Sequence, residues 1–243
     1  MKVECDLVKN HIVIRIVLVL IFSVIIWNFI NFLNQTFFDQ EYNWLNRLIM
    51  ALITTGLTVL LLQVLLKVDK ASWKQLGQST FKKNLMSFLL GFFLWTIPAA
   101  IGLFICFKFG FVEMTVQTDF SHLFLSIVIL FITVFFMEAL PEELIFRGYI
   151  YRYLNALFPH WGTIILQTLL FFLFAYLVGA LYSVEQIQFI PGFAIILGLF
   201  RAISGNVWTA IGFHVAIMAA TQILRPFHGH FEVSGMFTLQ LIA

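Results

Sequence analysis

Seven stretches without a single Asp, Glu, Lys or Arg set the rhythm of this chain: 16–38, 48–66, 84–107, 120–137, 153–184, 186–200 and 202–224. A helix needs about 20 mainly apolar residues to cross a bilayer, so the pattern predicts about seven spanning helices. The sixth stretch is short unless it runs on through Arg201 to about Ser204. With Pro191 and Gly192 near its start it could instead be re-entrant. The first stretch exceeds the apolar core of a signal peptide and lacks a small-residue cleavage site, so it reads as a retained helix.

Composition agrees. Hydrophobic residues make up 61% of the chain, against roughly 45–50% in soluble domains, and the mean hydropathy is +0.98. The fold expected is an all-α, polytopic transmembrane bundle, with residues 1–243 as one membrane domain and the bilayer as its first partner. A net charge of +2, spread thinly, offers no footing for nucleic acid. Cys5 and Cys106 lie far apart without CxxC spacing, so neither a disulfide framework nor a thiolate metal site is expected.

Basic residues favour cytoplasmic loops. Assigned to alternate ends of seven helices, the 14 Lys and Arg divide eleven against three, the smaller set being Arg47, Lys108 and Arg225. This predicts a multi-pass protein of the plasma membrane with a cytoplasmic N-terminus and an external C-terminus. The Phe-, Ile- and Asn-rich composition points weakly to a bacterium.

Against so apolar a background the segment Glu138-Ala-Leu-Pro141-Glu142-Glu143-Leu-Ile-Phe-Arg147-Gly148 stands out, because ionisable groups at membrane depth are costly and usually functional. Pro141 suits the first turn of a helix, where Glu142 and Glu143 would meet the positive end of the dipole. A re-entrant or interfacial helix at this motif is therefore expected. Glu143 and Arg147 have the favoured i,i+4 order for an ion pair. Glu142, turned about 100° away, keeps a free carboxylate that could exchange protons. The residues alone leave a structural helix-end pair and a catalytic site both open.

Other polar residues at depth are few. His214 lies in the last stretch, where it is either a packed imidazole or a catalyst, and Tyr176 in the fifth, where packing is the ordinary role. His228 and His230 sit in a short tail. No HExxH occurs and no paired His at helical spacing, so neither a metal nor another cofactor is expected.

Glu142-Glu143-x-x-x-Arg147, in the form Glu-Glu-Leu-Ile-Phe-Arg-Gly, closely resembles the first motif of the CAAX protease and bacteriocin-processing (CPBP, or Abi) family of intramembrane glutamate-type endopeptidases, historically called metallo-endopeptidases. The resemblance continues through Phe172-x-x-x-Tyr176, where the family has Phe-x-x-x-His. It extends to His214-x-x-x-Met218, where the family has His-x-x-x-Asn, after the small-residue turn Ser204-Gly205-Asn206. It covers about 120–224.

The resemblance implies that Glu142, with the group at position 176, activates a water against a peptide carbonyl. His214 and the residue at 218 would stabilise the oxyanion, while Glu143, Arg147 and Phe172 organise the site. Here Tyr176 replaces the His and Met218 the Asn. A Tyr is a poor base at neutral pH, and a lost oxyanion donor can cost on the order of 100- to 1000-fold. Two readings follow. One is an endopeptidase, possessing reduced activity, that cuts a peptide or membrane-protein substrate near the cytoplasmic leaflet. The other is a catalytically inactive relative acting by binding, in bacteriocin self-immunity or in regulating a membrane partner. A transporter is disfavoured because no second half mirrors the first. The sequence assigns no oligomeric state.

Overall fold

The computed structural model describes residues 2–37, 43–224 and 229–234, with side chains from His11 onward. The side chain of Cys5, together with Arg225 and His228, lies outside the described part. Seven helices are described: α1 (Lys2–Phe37), α2 (Trp44–Val68), α3 (Phe81–Lys108), α4 (Phe120–Asn155), α5 (His160–Leu177), α6 (Val184–Ser204) and α7 (Val207–Ile223). The first six contain stretches long and apolar enough to cross a membrane, and α7 is one residue short of that length. The all-α bundle read from the sequence is the fold of the protein, with one addition. Short strands β1 (Glu113–Val116) and β2 (Phe231–Ser234) pair antiparallel, joining the segments that follow α3 and α7.

Lipid is the solvent for the outer surface. Phe93, Ile97, Ile101 and Phe104 on α3, and Phe124, Leu125 and Ile127 on α4, are all exposed. Helix association in such a solvent relies on close backbone approach and internal polar contacts. The α3–α7 contact shows the first. A Cβ on Gly91 would lie 1.9 Å from the carbonyl oxygen of Thr209, and one on Gly212 would lie 2.0 Å from that of Phe88. Any larger residue at either position must push the two helices apart.

The sixth helix is resolved in favour of continuity. It carries Pro191 internally and runs through Arg201 to Ser204, where Gly205 closes it in the left-handed conformation at φ 65°.

The largest departure from the sequence reading concerns the Glu-Glu motif. Instead of stopping near Met137 and restarting at a separate re-entrant or interfacial helix, the chain continues as one helix to Asn155. Two wide-turn π segments, Phe135–Ala139 and Leu144–Ile150, flank a short α stretch that begins beside Pro141. Proline inside a helix removes a donor and clashes with the preceding turn; a wide turn relieves the crowding, as π segments at functional sites commonly do. The hydroxyl of Thr55 on α2 donates to the Phe136 carbonyl, one turn back from Pro141, and so replaces the kind of donor that proline removes. Arg147, counted with the basic loops on sequence grounds, is fully buried within this helix.

The ends of the helices group as seven alternating spans require. Val207 N–H donates to the Gly77 carbonyl at 3.0 Å, tying the start of α7 to the turn before α3. Asp69, at the end of α2, accepts from Tyr149 and Tyr153 of α4 and pairs with Arg15 of α1. Lys67, Lys70, Lys74, Lys82, Lys83, Arg152 and Arg201 lie in or beside these ends, which we call the basic end.

Candidate active site

Glu143 lies six residues inward from Tyr149, across the wide-turn segment Leu144–Ile150, and Tyr149 is held at the basic end by Asp69. His214 lies seven residues into α7, about 10 Å along an α-helix. Their direct contact puts the two residues at one depth. α7 starts at Val207, five residues after the start of the apolar stretch 202–224, and α4 runs on past Met137, which brings the two residues to one level.

At this depth three charged or ionisable side chains meet. His214 Nδ1 lies 3.0 Å from Glu143 Oε1, and Arg147 Nη1 donates to the same oxygen at 3.1 Å. Glu143 and Arg147 are completely buried and His214 nearly so. The i,i+4 spacing anticipated the Glu143–Arg147 pair; that the imidazole joins the second glutamate, not the first, was not legible. Arg147 also donates through Nη2 to the Ala194 carbonyl on α6 at 3.1 Å, and its guanidinium lies 4.7 Å from the Phe171 ring centroid. Gln167 of α5 donates to the same Ala194 carbonyl at 3.0 Å. Phe193 of α6 packs edge-to-face on His214 with ring centroids 4.8 Å apart. Four helices thus fix one ion cluster. Within it Glu143 Oε2 and Arg147 Nε have no hydrogen-bond partner among the described residues.

Glu142 stands beside this cluster and is only half-buried. Its charged neighbours are Glu138, Glu143 and Arg147, and among the described residues it makes no hydrogen bond or ion pair. Glu138, one turn earlier, accepts two hydrogen bonds from Gln222 of α7, at 3.0 and 3.3 Å. Gln222 lies two turns beyond His214, with Met218 between them, half-buried. Glu138 and Gln222 were missed as site neighbours. Their signal was the four-residue step from each to a named residue, Glu138 to Glu142 and Met218 to Gln222.

The fifth helix places its motif differently. Its buried residues are Thr163, Ile164, Gln167, Thr168, Phe171, Phe174 and Ala175. Phe172 is half-buried at the flank of that face, packed against the core. Tyr176 is 67% exposed, and its hydroxyl makes no hydrogen bond among the described residues. It shares no hydrogen bond with Glu142 or His214 among the described residues, and the buried face of α5 is set by positions such as 171, 174 and 175. His230, at the far end, lies 3.1 Å through Nδ1 from the Thr118 hydroxyl and takes no part. Among the described residues no group of three or more His, Cys, Asp or Glu is placed to hold a metal ion.

Chemically, the arrangement offers one free carboxylate, one imidazole whose Nδ1 is engaged, and a buried ion pair that anchors both helices. Residues 123–220 match the family model described as Rce1-like, type II CAAX prenyl endopeptidase. No curated protein and no solved structure matches the chain. The matched segment contains every motif residue named above, and the helices give it a multi-pass membrane setting. Over residues 123–220 the chain is thus similar to a family of membrane CAAX proteases, the family that its Glu-Glu motif resembles.

Proposed function

We propose that this protein is a membrane-embedded endopeptidase that hydrolyses a peptide or membrane-protein substrate near the cytoplasmic leaflet, with Glu142 as the base that activates water. The observation that carries the reading is the division of labour within one helix turn. Glu143 is committed to Arg147 and His214, while Glu142 beside it keeps an unpaired carboxylate. In the reaction Glu142 takes a proton from water, the hydroxide adds to the peptide carbonyl, and the same proton passes to the leaving amine as the C–N bond breaks.

His214 presents the other half of the chemistry. With a carboxylate at Nδ1, its Nε2 remains for the reaction, as an acceptor when neutral and as a donor when protonated. The protonated ring meets the need of a developing oxyanion. Met218, one turn on, supplies no donor. Tyr176, on the outer side of α5, is given no catalytic role in this proposal. One side-chain donor therefore does the work of two, and turnover is expected to be slow.

The test is cleavage by the reconstituted full-length protein of a membrane-anchored peptide library. Glu142→Gln is expected to abolish it; cleavage surviving that change would overturn the mechanism. Met218 and the outward Tyr176 favour a second reading, a catalytically inactive relative that binds a membrane partner or confers bacteriocin self-immunity. That reading requires a cellular phenotype that persists in Glu142→Ala at normal expression, and it fails if the phenotype disappears. The cytoplasmic N-terminus belongs to the same proposal and rests on the asymmetry of Lys and Arg, while a bacterial plasma membrane rests on the Phe-, Ile- and Asn-rich composition. Without the buried Arg147, that asymmetry is ten against three.

A further inference from the structure

At the basic end, between the 3₁₀ turn Trp73–Leu76, the first turns of α3 and the junction of α6 with α7, lies an open cavity of about 740 Å³. Lys74, Lys82 and Lys83 line it, and none of its lining residues is acidic. All three lysines are exposed, and among the described residues none has an ion-pair partner. Ser79 and Ser204 add hydroxyl groups to the wall, and Met86 forms its apolar lip.

Two features prepare the cavity for an anion. The first is the start of α3, whose N-cap residue Thr80 makes no side-chain capping bond. The first-turn N–H groups are thus left unsatisfied by the cap, at the positive end of the helix dipole. The second is rigidity. Val207 N–H holds the Gly77 carbonyl, Trp208 Nε1 donates to Gln78 Oε1 at 3.1 Å, and Asn206 Nδ2 donates to Asn84 Oδ1 at 3.1 Å. The same Asn84 oxygen accepts from Ser79 N–H at 2.9 Å. The wall is therefore set before any ligand arrives, which lowers the ordering cost of binding.

Position selects the kind of anion. The lysines sit at the helix ends of a membrane bundle, where headgroups lie, and Phe81, Leu85 and Met86 beside them are exposed at 83%, 44% and 60%. Basic pockets between membrane helices at this level suit lipid headgroups. We propose that this cavity binds the phosphate headgroup of an anionic membrane lipid, whose acyl chains lie along the apolar surface of α3. The site is separate from the glutamate cluster, and its test does not read cleavage.

Native mass spectrometry of the full-length protein in detergent, titrated with phosphatidylglycerol and with phosphatidylcholine of matched chains, tests the proposal. The wild-type protein should retain phosphatidylglycerol in preference. Each Lys→Gln change should weaken that preference about fivefold, and K74Q/K82Q/K83Q together on the order of 100-fold. K67Q/K70Q removes two exposed lysines that do not line the cavity, and should leave the preference unchanged. Equal loss in both sets would reduce the effect to general surface charge and overturn the proposal, as would an unchanged triple variant that retains the wild-type unfolding temperature. Inorganic phosphate and a polyglutamate peptide serve as competing probes. Saturable binding of either, without any preference for phosphatidylglycerol, would assign the cavity to free phosphate or to an acidic peptide and sink the lipid reading.

Discussion

Two buried carboxylates on this bundle have opposite fates. Asp69 has both oxygens occupied, Oδ1 by Arg15 at 2.6 Å and Oδ2 by the hydroxyls of Tyr149 and Tyr153. Glu143 has Oε1 shared between Arg147 and His214 while Oε2 has no partner among the described residues. The first is a closed lock, joining α1, α2 and α4 at the basic end. The second leaves hydrogen-bonding capacity unused in a place where an unsatisfied polar atom costs about 1–3 kcal/mol. Such a cost is tolerated where function needs it, and the unpaired Glu142 stands next to that cost. The difference separates a cluster that holds helices together from one that holds them together around a reactive group.

The sharpest way to break the comparison is at Glu142. Glu142→Gln keeps the size and the half-buried position of the side chain and removes only its basicity. It should lower cleavage by roughly 100- to 10000-fold while leaving unfolding in detergent within about 0.5 kcal/mol of wild type. A matched loss of stability and activity would instead make Glu142 a structural residue and erase its contrast with Glu143.

Next come the ion pair and the lock. Glu143→Leu strands Arg147 in the interior and should cost roughly 3–5 kcal/mol, whereas Glu143→Leu with Arg147→Met should recover most of that stability. Chemical unfolding measures both. Cleavage should stay lost in the double variant, because His214 no longer has the carboxylate that orients its ring. Asp69→Asn, by contrast, removes a charge from a cluster in which Arg15 is still 30% exposed. A smaller loss of roughly 1–3 kcal/mol is expected, and the folded fraction should cleave at the wild-type rate. If Asp69→Asn slows the chemistry of fully folded protein, the two clusters are coupled and the division between lock and site fails.

What the sequence disclosed follows the same division. Hydrophobic runs gave the helices, since a bilayer imposes length and apolarity directly, and the i,i+4 spacing gave Glu143 with Arg147. Three things were hidden. The continuity of α4 through Pro141 is supported by a donor from Thr55 to Phe136, 81 residues apart in sequence, which no local propensity encodes. The Glu143–His214 contact depends on how far α4 and α7 slide past one another, a long-range register that no local pattern encodes; α7 itself is seated against α3 by Gly91, Gly212 and the Gly77 turn. The third was the rotation of α5, where the family resemblance implied Tyr176 at the site and the side chain is exposed.

That rotation yields the mildest prediction. The inward face of α5 is filled by Phe171, which packs edge-to-face against Phe146 at 4.9 Å, and by Phe174, which packs edge-to-face against Trp27 at 5.1 Å. Turning Tyr176 inward would require both rings to leave those contacts, each worth about 0.5–1.5 kcal/mol beyond area burial. The helix should therefore stay as it is. Tyr176→Phe should shift stability by less than about 0.5 kcal/mol, and both Tyr176→Phe and Tyr176→His should leave cleavage unchanged. A histidine at 176 that raises turnover tenfold or more would show that α5 turns to bring this position to the water, and would return the second motif to the site.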